Sequence, residues 1–438
     1  MLIKAIKGTQ DVLPANVYAN QFIEAAMLET ARCFGFKEIR TPVFEYTELF
    51  SRSVGDTTDV VQKEMYTFDD KGGRSITLRP EGTAGAVRAF LEHSLFNEPL
   101  PQKVCYVTSC YRYEKPQAGR LREFHQFGVE CFGPSAPAAD AEVIALANEI
   151  FSFLGIKKLR LEINSIGCPV CRPVYHQKLR EYFEGHKEEL CDTCKGRLDR
   201  NPMRILDCKS PVCSRIAADA PVMAHNLCGE CADHFEEVKG RLDSMGISYE
   251  VNLRIVRGLD YYTRTVFEFI SNDIGAQGTV CGGGRYDGLV EQMGGPKMPA
   301  LGFAMGLERI LLLIEAQKIQ LPAEKACELF IVSHGKNAAD LAGVLTNELR
   351  AAGLSVSFDL MGRSVKAQMK YADKLGALYT VVIGDDELDK GEAVLRNMQS
   401  GNTSPIGLGD FVNGFLGIRA KDATDSLGDA LQAFDMFK

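Results

Sequence analysis

The chain reads as an α+β domain interrupted by a cysteine-rich insertion and followed by a separate α/β domain. Three observations predict this. Strand-like and helix-like stretches intermingle from residue 17 to about residue 318. From Cys168 to about Arg241 the composition turns polar, and eight of the fourteen cysteines fall there. Beyond a linker-like stretch, IQLPAEKA at 319–326, strands and helices alternate, which calls for a parallel or mixed sheet covered by helices. A chain of 438 residues is long for one core. The expected division is a first domain at 1–322 with the insertion at 168–241, a second at 327–420, and a tail at 421–438.

The elements follow in order. Phe22, Ala25, Ala26, Glu29 and Cys33 recur at helical spacing, and Gly35 stops that helix, expected over 17–34. A strand follows at Phe36–Arg40, and Pro42 forbids its continuation. Residues 75–79 and 103–113 read as strands, and Thr83–His93 as a helix. A loop at Glu114–Arg122, holding Pro116 and Gly119, leads into a strand at Phe124–Phe132. Val143, Leu146, Ala147, Ile150 and Leu154 mark a helix over 140–154 that Gly155 ends, and Lys158–Asn164 alternates as a strand. After the insertion, strands are expected at Leu253–Val256, Val266–Ile270 and Thr279–Cys281, then a helix from Gly302 to about Lys318. The second domain reads strand Glu328–Ser333, helix Ala338–Ala352, strand Ser355–Phe358, helix Arg363–Leu375, strand Tyr379–Ile383.

Composition narrows the function. Apolar content of 45% and charged content of 25% are ordinary for a globular protein. No run is long and apolar enough to span a bilayer, and MLIKAIKGTQDVLP lacks a signal-peptide core, so a cytoplasmic setting is expected. In that setting fourteen cysteines favour thiols or metal ligation over disulfides. A net charge of −8 argues against non-specific nucleic-acid binding, although a local basic stripe can still supply phosphate contacts.

Two distant segments concentrate chemistry. YRYEKPQAGRLREFHQFGVE at 111–130 interleaves Arg112, Lys115, Arg120 and Arg122 with aromatic and acidic groups, and RGLDYYTR at 257–264 sets Arg257 and Asp260 beside two tyrosines. Together they suit a polyanion and a small zwitterion, as amino-acid activation with ATP requires. Arg112, Arg257 and Arg309 are the candidate phosphate groups, because guanidinium is always charged and fork-shaped. A lone arginine is more commonly a weak surface pair, and only the context of these three argues otherwise. No phosphate loop or dinucleotide fingerprint sits between a strand and a helix. GGGRYDG at 282–288 either lets a ligand approach the backbone or makes a plain turn. Gln126 and Glu130 share a strand face, and with Glu81 they could read a small cationic or amphoteric side chain. Simple helix capping is the plainer reading of Glu81. His125 lies off that face and is not assigned to catalysis.

Cys168-x2-Cys171 and Cys191-x2-Cys194 fit a two-knuckle zinc spacing; Cys208-x4-Cys213 and Cys228-x2-Cys231 make a second set, or the four pairs interleave. The alternative is buried free thiols. A small polar insertion is expected to lack its own core, which favours a metal staple. In the second domain Arg363, Lys366, Lys370 and Lys374 share one helix face, either a phosphate-binding stripe or a solvated surface.

GTQDVLP at 8–14, TLRPEGTAGAVRAF at 77–90, the 111–130 segment, RGLDYYTRTVFEF at 257–269, GGGRYDGL at 282–289 and GFAMGLERI at 302–310 resemble histidyl-tRNA synthetases, in order and across nearly the whole chain. The resemblance implies a class II fold, an antiparallel sheet flanked by helices, a C-terminal anticodon-binding domain, and a homodimer formed around Phe36–Glu45. It implies that L-histidine is adenylated with ATP and Mg2+ and passed to the 3′ end of histidine tRNA. By position, Arg112 and Arg257 serve the α-phosphate and Arg309 the γ-phosphate, with Arg120 also near ATP. Glu81, Gly82, Thr83, Gln126, Glu130, Tyr261 and Tyr262 match the histidine pocket. Gln117 and Arg120 neighbour the tRNA acceptor end, and Arg363, Lys366 and Lys370 the anticodon stem. Any zinc in the insertion would be structural. The rival is a non-catalytic paralogue, the regulatory subunit of ATP phosphoribosyltransferase, which lacks the C-terminal domain and has a degraded RGLDYY segment.

Overall fold

The computed structural model describes residues 3–435 apart from 55–57, 59, 118, 207, 209, 256, 276–277 and 323–326. The chain divides into two units, Met1–Gln320 and Leu321–Lys438. Among the described residues no helix is long and apolar enough to cross a membrane.

The first unit opens with helix α1 (Val17–Cys33), which buries Ile23, Ala26, Met27, Thr30 and Ala31. Short strands β1 (Lys37–Glu38) and β2 (Phe44–Tyr46) flank Pro42, as a missing amide donor requires. Helix α2 (Thr47–Val54), strands β3 (Tyr66–Asp69) and β4 (Ser75–Leu78), and helix α3 (Thr83–Glu92) follow. Then come the long strands β5 (Gln102–Tyr111) and β6 (Glu123–Phe132), helix α4 (Pro137–Phe153) and strand β7 (Arg160–Ser165). The insertion is helical: α5 (Cys171–Glu184), α6 (Asp192–Arg200), α7 (Pro211–Ala218) and α8 (Gly229–Ser244). The unit closes with β8 (Glu250–Val251), β9 (Thr263–Ile270), β10 (Thr279–Arg285), α9 (Leu289–Gln292), β11 (Ala300–Gly306) and α10 (Leu307–Ala316).

These strands build an eight-stranded sheet in the order β1-β5-β6-β11-β10-β9-β7-β8. Only the edge pairs β1/β5 and β7/β8 are parallel. The interior pairs are antiparallel, so the expected α+β architecture holds. A smaller antiparallel sheet, β2-β4-β3, lies apart.

Three local expectations need correction. Residues 302–306, expected as helix, belong to β11; a continuous apolar run carries no period that separates strand from helix. Residues 253–255 make a turn, the strand lies at Glu250–Val251, and Val256 is outside the described residues. The insertion does have a core: Tyr175, Leu179 and Phe183 line one face of α5 and pack with Leu190, Leu198, Ile205, Ile216 and Met223. Its polar average hid this four-residue spacing.

The insertion joins the sheet through a buried charge cluster. Arg285 of β10 donates to Asp140 of α4 at 2.7–3.0 Å, and His234 of α8 reaches the same carboxylate at 3.3 Å. Burial raises the Asp140 pKa, but His234 and Arg285 more than offset it and hold the group low.

The second unit runs β12 (Leu329–Ser333), α11 (Lys336–Ala351), β13 (Val356–Phe358), α12 (Val365–Lys374), β14 (Tyr379–Ile383), α13 (Asp385–Lys390), β15 (Glu392–Asn397), β16 (Thr403–Gly407) and α14 (Phe411–Asp435). Its mixed sheet, β13-β12-β14-β15-β16, has parallel pairs at one end and antiparallel pairs at the other. Residues 421–435, expected as a tail, continue α14.

Candidate active site

Strands β6, β11 and β10 form the floor of a cavity of about 260 Å³. Arg112, Arg257 and Arg309, more than fifty residues apart from one another in sequence at the nearest pair, all line it, together with Arg120. Their charges act on one another. Arg309 is depressed below the usual guanidinium range by burial and by the positive charges of Arg120 and Arg112. Such crowding is costly without an anion to share.

Each guanidinium is held by its surroundings. Arg112 follows β5, donates to the Pro80 carbonyl at 3.0 Å and lies 5.3 Å from the Phe124 ring centroid. Arg309 sits in the first turn of α10 and donates to the Thr279 carbonyl. Arg257 pairs with Glu268 of β9 and lies 5.4 Å from the Tyr262 ring centroid. Its buried Nε has no partner. Gly282 of β10 stands directly opposite Glu268 across the ladder. A Cβ there would meet the Arg257 guanidinium nitrogens at 2.4–2.5 Å. The glycine run therefore lies within the strand rather than in a plain turn, and at Gly282, which lines the cavity, it admits the Arg257 side chain to the backbone.

The same cavity is lined by Glu81, Thr83, Gln126, Tyr261 and Tyr262. Glu81 accepts from the Thr83 and Ala84 amides at 2.6 and 2.8 Å at the start of α3, so it caps the helix and lines the cavity at once. Burial raises its pKa. Gln126 accepts from the Cys110 thiol at 3.3 Å. Glu130 is on the Gln126 face, but it is 1% exposed and is not among the lining residues. It accepts from Tyr106 at 2.8 Å and from Tyr286, and burial pushes its pKa to about 8. Gly82 is also behind the surface: with Gly128 it makes room for the Tyr106 ring, which a Cβ at either would meet at 2.3–2.4 Å.

Asp260 departs from expectation. It turns out of the cavity to Arg204 and Asn201 of the insertion, at 2.9 and 3.1 Å. In RGLDYY successive side chains diverge, so adjacency in sequence did not mean a shared site. Glu114, Gly119, Arg120 and Leu121 of the loop at 114–122 also line the cavity. Gln117 and Arg120 close a tight backbone pair, and Arg120 lies 3.3 Å from Glu114. Arg122 donates its amide to the Gly8 carbonyl, which docks the GTQDVLP segment on this loop. His125 pairs with Glu308 at 2.9 Å, and that hydrogen bond raises its pKa. Sequence reasoning missed Tyr106, Tyr286 and Glu268. Tyr286 and Glu268 lie inside the GGGRYDG and RGLDYYTRTVFEF motifs, which do not mark their roles, and the signal for Tyr106 was its strand register with Gly128.

All fourteen cysteines are free thiols. The eight in the insertion fall into two clusters: Cys168, Cys171, Cys228 and Cys231, and Cys191, Cys194, Cys208 and Cys213. The pairs nest, and the expected joining of 168/171 with 191/194 does not occur, because α5 carries the chain away from Cys171 before Cys191 is reached. In the second unit, Lys366, Lys370 and Lys374 are exposed on α12. Arg363 does not share their freedom; it pairs with Asp359 at 2.8 Å and stacks 4.4 Å from the Tyr371 ring centroid.

Comparison with known proteins gives this geometry a family. The profile of histidyl-tRNA synthetase matches residues 8–172 and 211–310, and that of an anticodon binding domain matches 328–417. Histidine–tRNA ligase of Acetivibrio thermocellus is 55% identical over 413 residues, covering 94% of this chain and 99% of that one. Histidine–tRNA ligase of Caldanaerobacter subterraneus is 56% identical over 406 residues, covering 93% and 97%. The crystal structure of apo Staphylococcus aureus histidyl-tRNA synthetase aligns with a TM-score of 0.83 at 42% identity, over 94% of this chain and all of that one. The chain belongs to the histidyl-tRNA synthetase family.

Proposed function

We propose that this protein is a histidine–tRNA ligase: it activates L-histidine with ATP and transfers it to the 3′ end of histidine tRNA. The observation that carries the reading is one cavity lined both by Arg112, Arg257 and Arg309 and by Glu81, Thr83, Gln126 and two tyrosines. The near-full-length similarity to histidine–tRNA ligases, C-terminal domain included, supports it over the regulatory paralogue.

The amino acid's carboxylate is already a nucleophile, so the first step needs no general base. It attacks the α-phosphorus, the bond to the bridging oxygen breaks, and pyrophosphate leaves. Arg112 and Arg257 are assigned to the α-phosphate oxygens and Arg309 to the γ-phosphate, with Arg120 beside them. Preorganised charge in a water-poor site stabilises what builds up in the transition state. Arg257 would exchange part of its pairing with Glu268 for phosphate. Glu81, Thr83, Gln126, Tyr261 and Tyr262 are assigned to histidine; Glu130 and Gly82 support them from behind by fixing Tyr106. A site built from such polar groups rejects analogues that cannot pair with it. In the second step a terminal ribose hydroxyl attacks the histidyl carbonyl and AMP leaves, with Gln117 and Arg120 next to the acceptor end.

Among the described residues, the groups close enough to hold a metal ion are the cysteine clusters. The cavity carboxylates are engaged, Glu81 by amides, Glu114 by Arg120 and Glu308 by His125. Mg2+ would come with the nucleotide, as the counter-ion of its phosphates. A zinc in the insertion would be structural. The remaining assignments are a catalytic domain over 1–322, an anticodon-binding domain over 327–420, a cytoplasmic setting and a homodimer. The decisive experiment is ATP–pyrophosphate exchange with each of several amino acids offered in turn. Exchange with histidine alone is expected; no exchange with any would sink the reading.

A further inference from the structure

We propose that the insertion binds two zinc ions in nested tetrathiolate sites, an outer one of Cys168, Cys171, Cys228 and Cys231 and an inner one of Cys191, Cys194, Cys208 and Cys213, and that these sites position the RGLDYY segment. Within each cluster all four sulfur atoms lie within 4.8 Å of one another. Four thiolates around zinc at about 2.3 Å make a tetrahedron with edges of about 3.8 Å. The observed separations match: 3.7 Å for Cys168–Cys171, 3.9 Å for Cys168–Cys228 and 3.8 Å for Cys191–Cys208. Backbone amides point at the sulfurs, from Val170 to Cys168 at 3.4 Å, from Cys228 to Cys171 at 3.1 Å and from Cys191 to Cys213 at 3.3 Å. Such donors stabilise a thiolate far more than a thiol. A set of four soft ligands with tetrahedral spacing and, among the described residues, no fifth group suits zinc in a closed, structural site. The match to the family profile breaks at 173–210, where Cys191, Cys194 and Cys208 lie, and resumes at 211, just before Cys213.

Both sites connect to the cavity wall. Cys171 is the first residue of α5, and its neighbour Arg172 donates to the Tyr262 carbonyl. Cys191 and Cys194 bracket the start of α6. Just past the end of that helix, Asn201 and Arg204 hold Asp260 at 3.1 and 2.9 Å, and Arg204 also holds the Gly258 carbonyl at 2.8 Å. The insertion thus grips the segment between Arg257 and Tyr262 at three points. Each grip begins a few residues from a cysteine cluster. This positioning role rests on the ligase reading; the zinc sites do not.

Elemental analysis of the purified full-length protein should find two zinc per chain, and X-ray absorption four sulfur ligands at about 2.3 Å. Fewer than two, another metal, or nitrogen and oxygen ligands would overturn the proposal, and neither measurement needs a variant. Replacing Cys168, Cys171, Cys228 and Cys231 together by serine should leave one zinc. Replacing Cys168, Cys171, Cys191 and Cys194 should leave none. The opposite pattern, none and one, would overturn the nesting. Arg204→Ala should keep both zincs and lower kcat/KM for histidine in pyrophosphate exchange by about 10²-fold, with partial recovery in Arg204→Lys. A value within twofold of the parent would overturn the positioning. Two zincs without any histidine-dependent exchange would sink the ligase reading and leave the metal sites standing.

Discussion

At the scale of single residues, the site depends on contacts that leave no room for change. Gly282 is the clearest, because the Arg257 guanidinium occupies the volume of its absent Cβ. Gly282→Ala is expected to displace Arg257 and slow pyrophosphate exchange by about 10²–10³-fold, the usual cost of one lost transition-state donor. Circular dichroism should remain that of the parent. An unslowed variant would remove Arg257 from the chemistry. Glu130 gives a pH prediction. Its native carboxyl keeps a proton up to about pH 8, against an ordinary value of 4.5. The folded state therefore binds more protons than the unfolded chain between those values. This contribution to stability is full below the lower value and is lost as pH rises through the upper one. Glu130→Gln should flatten the fall in Tm between pH 5 and 8; an unchanged slope would assign that fall to other groups. That Arg112, Arg257 and Arg309 would share one cavity was legible at this scale from their motif contexts. Their partners were not, since Glu268 and Tyr106 acquire meaning only when strands pair.

At the scale of elements, helices with regular apolar spacing and a glycine stop were readable within three residues, as α1 and α4 illustrate. Strand GFAMG was not, because an interior strand covered on both faces has no alternation to read. The insertion misled for another reason: a core of few side chains on short helices is diluted in a polar average. Helix α12 supports a prediction of its own. Lys366 and Lys370, four residues apart and exposed, make an uncommitted basic face, whereas Arg363 is spent on Asp359. Lys366→Gln with Lys370→Gln should weaken binding of histidine tRNA and reduce the salt dependence of log K by about one to two units. Equal affinity at several salt concentrations would make the face merely solvated.

At the scale of the whole molecule, the first unit leaves apolar side chains uncovered on and beside its small sheet, Val43, Phe44, Tyr46 and Phe68 among them. Val43, Phe44 and Tyr46 follow Pro42, in and just after the stretch expected to form a dimer. Sedimentation should therefore give twice the chain mass, and Phe44→Asp with Tyr46→Asp should shift it towards one chain; a monomeric parent protein would end that reading. The nested cysteines bear on how such a chain is made. Residues 191–213 lie wholly inside the span from 168 to 231. The shorter ring costs less entropy to close, and all four of its members leave the ribosome before Cys228 does. Biosynthesis can thus finish the inner clasp first and the outer one around it, like brackets closed in the order in which they are typed, with no need for the chain to thread back or for ligands to be swapped.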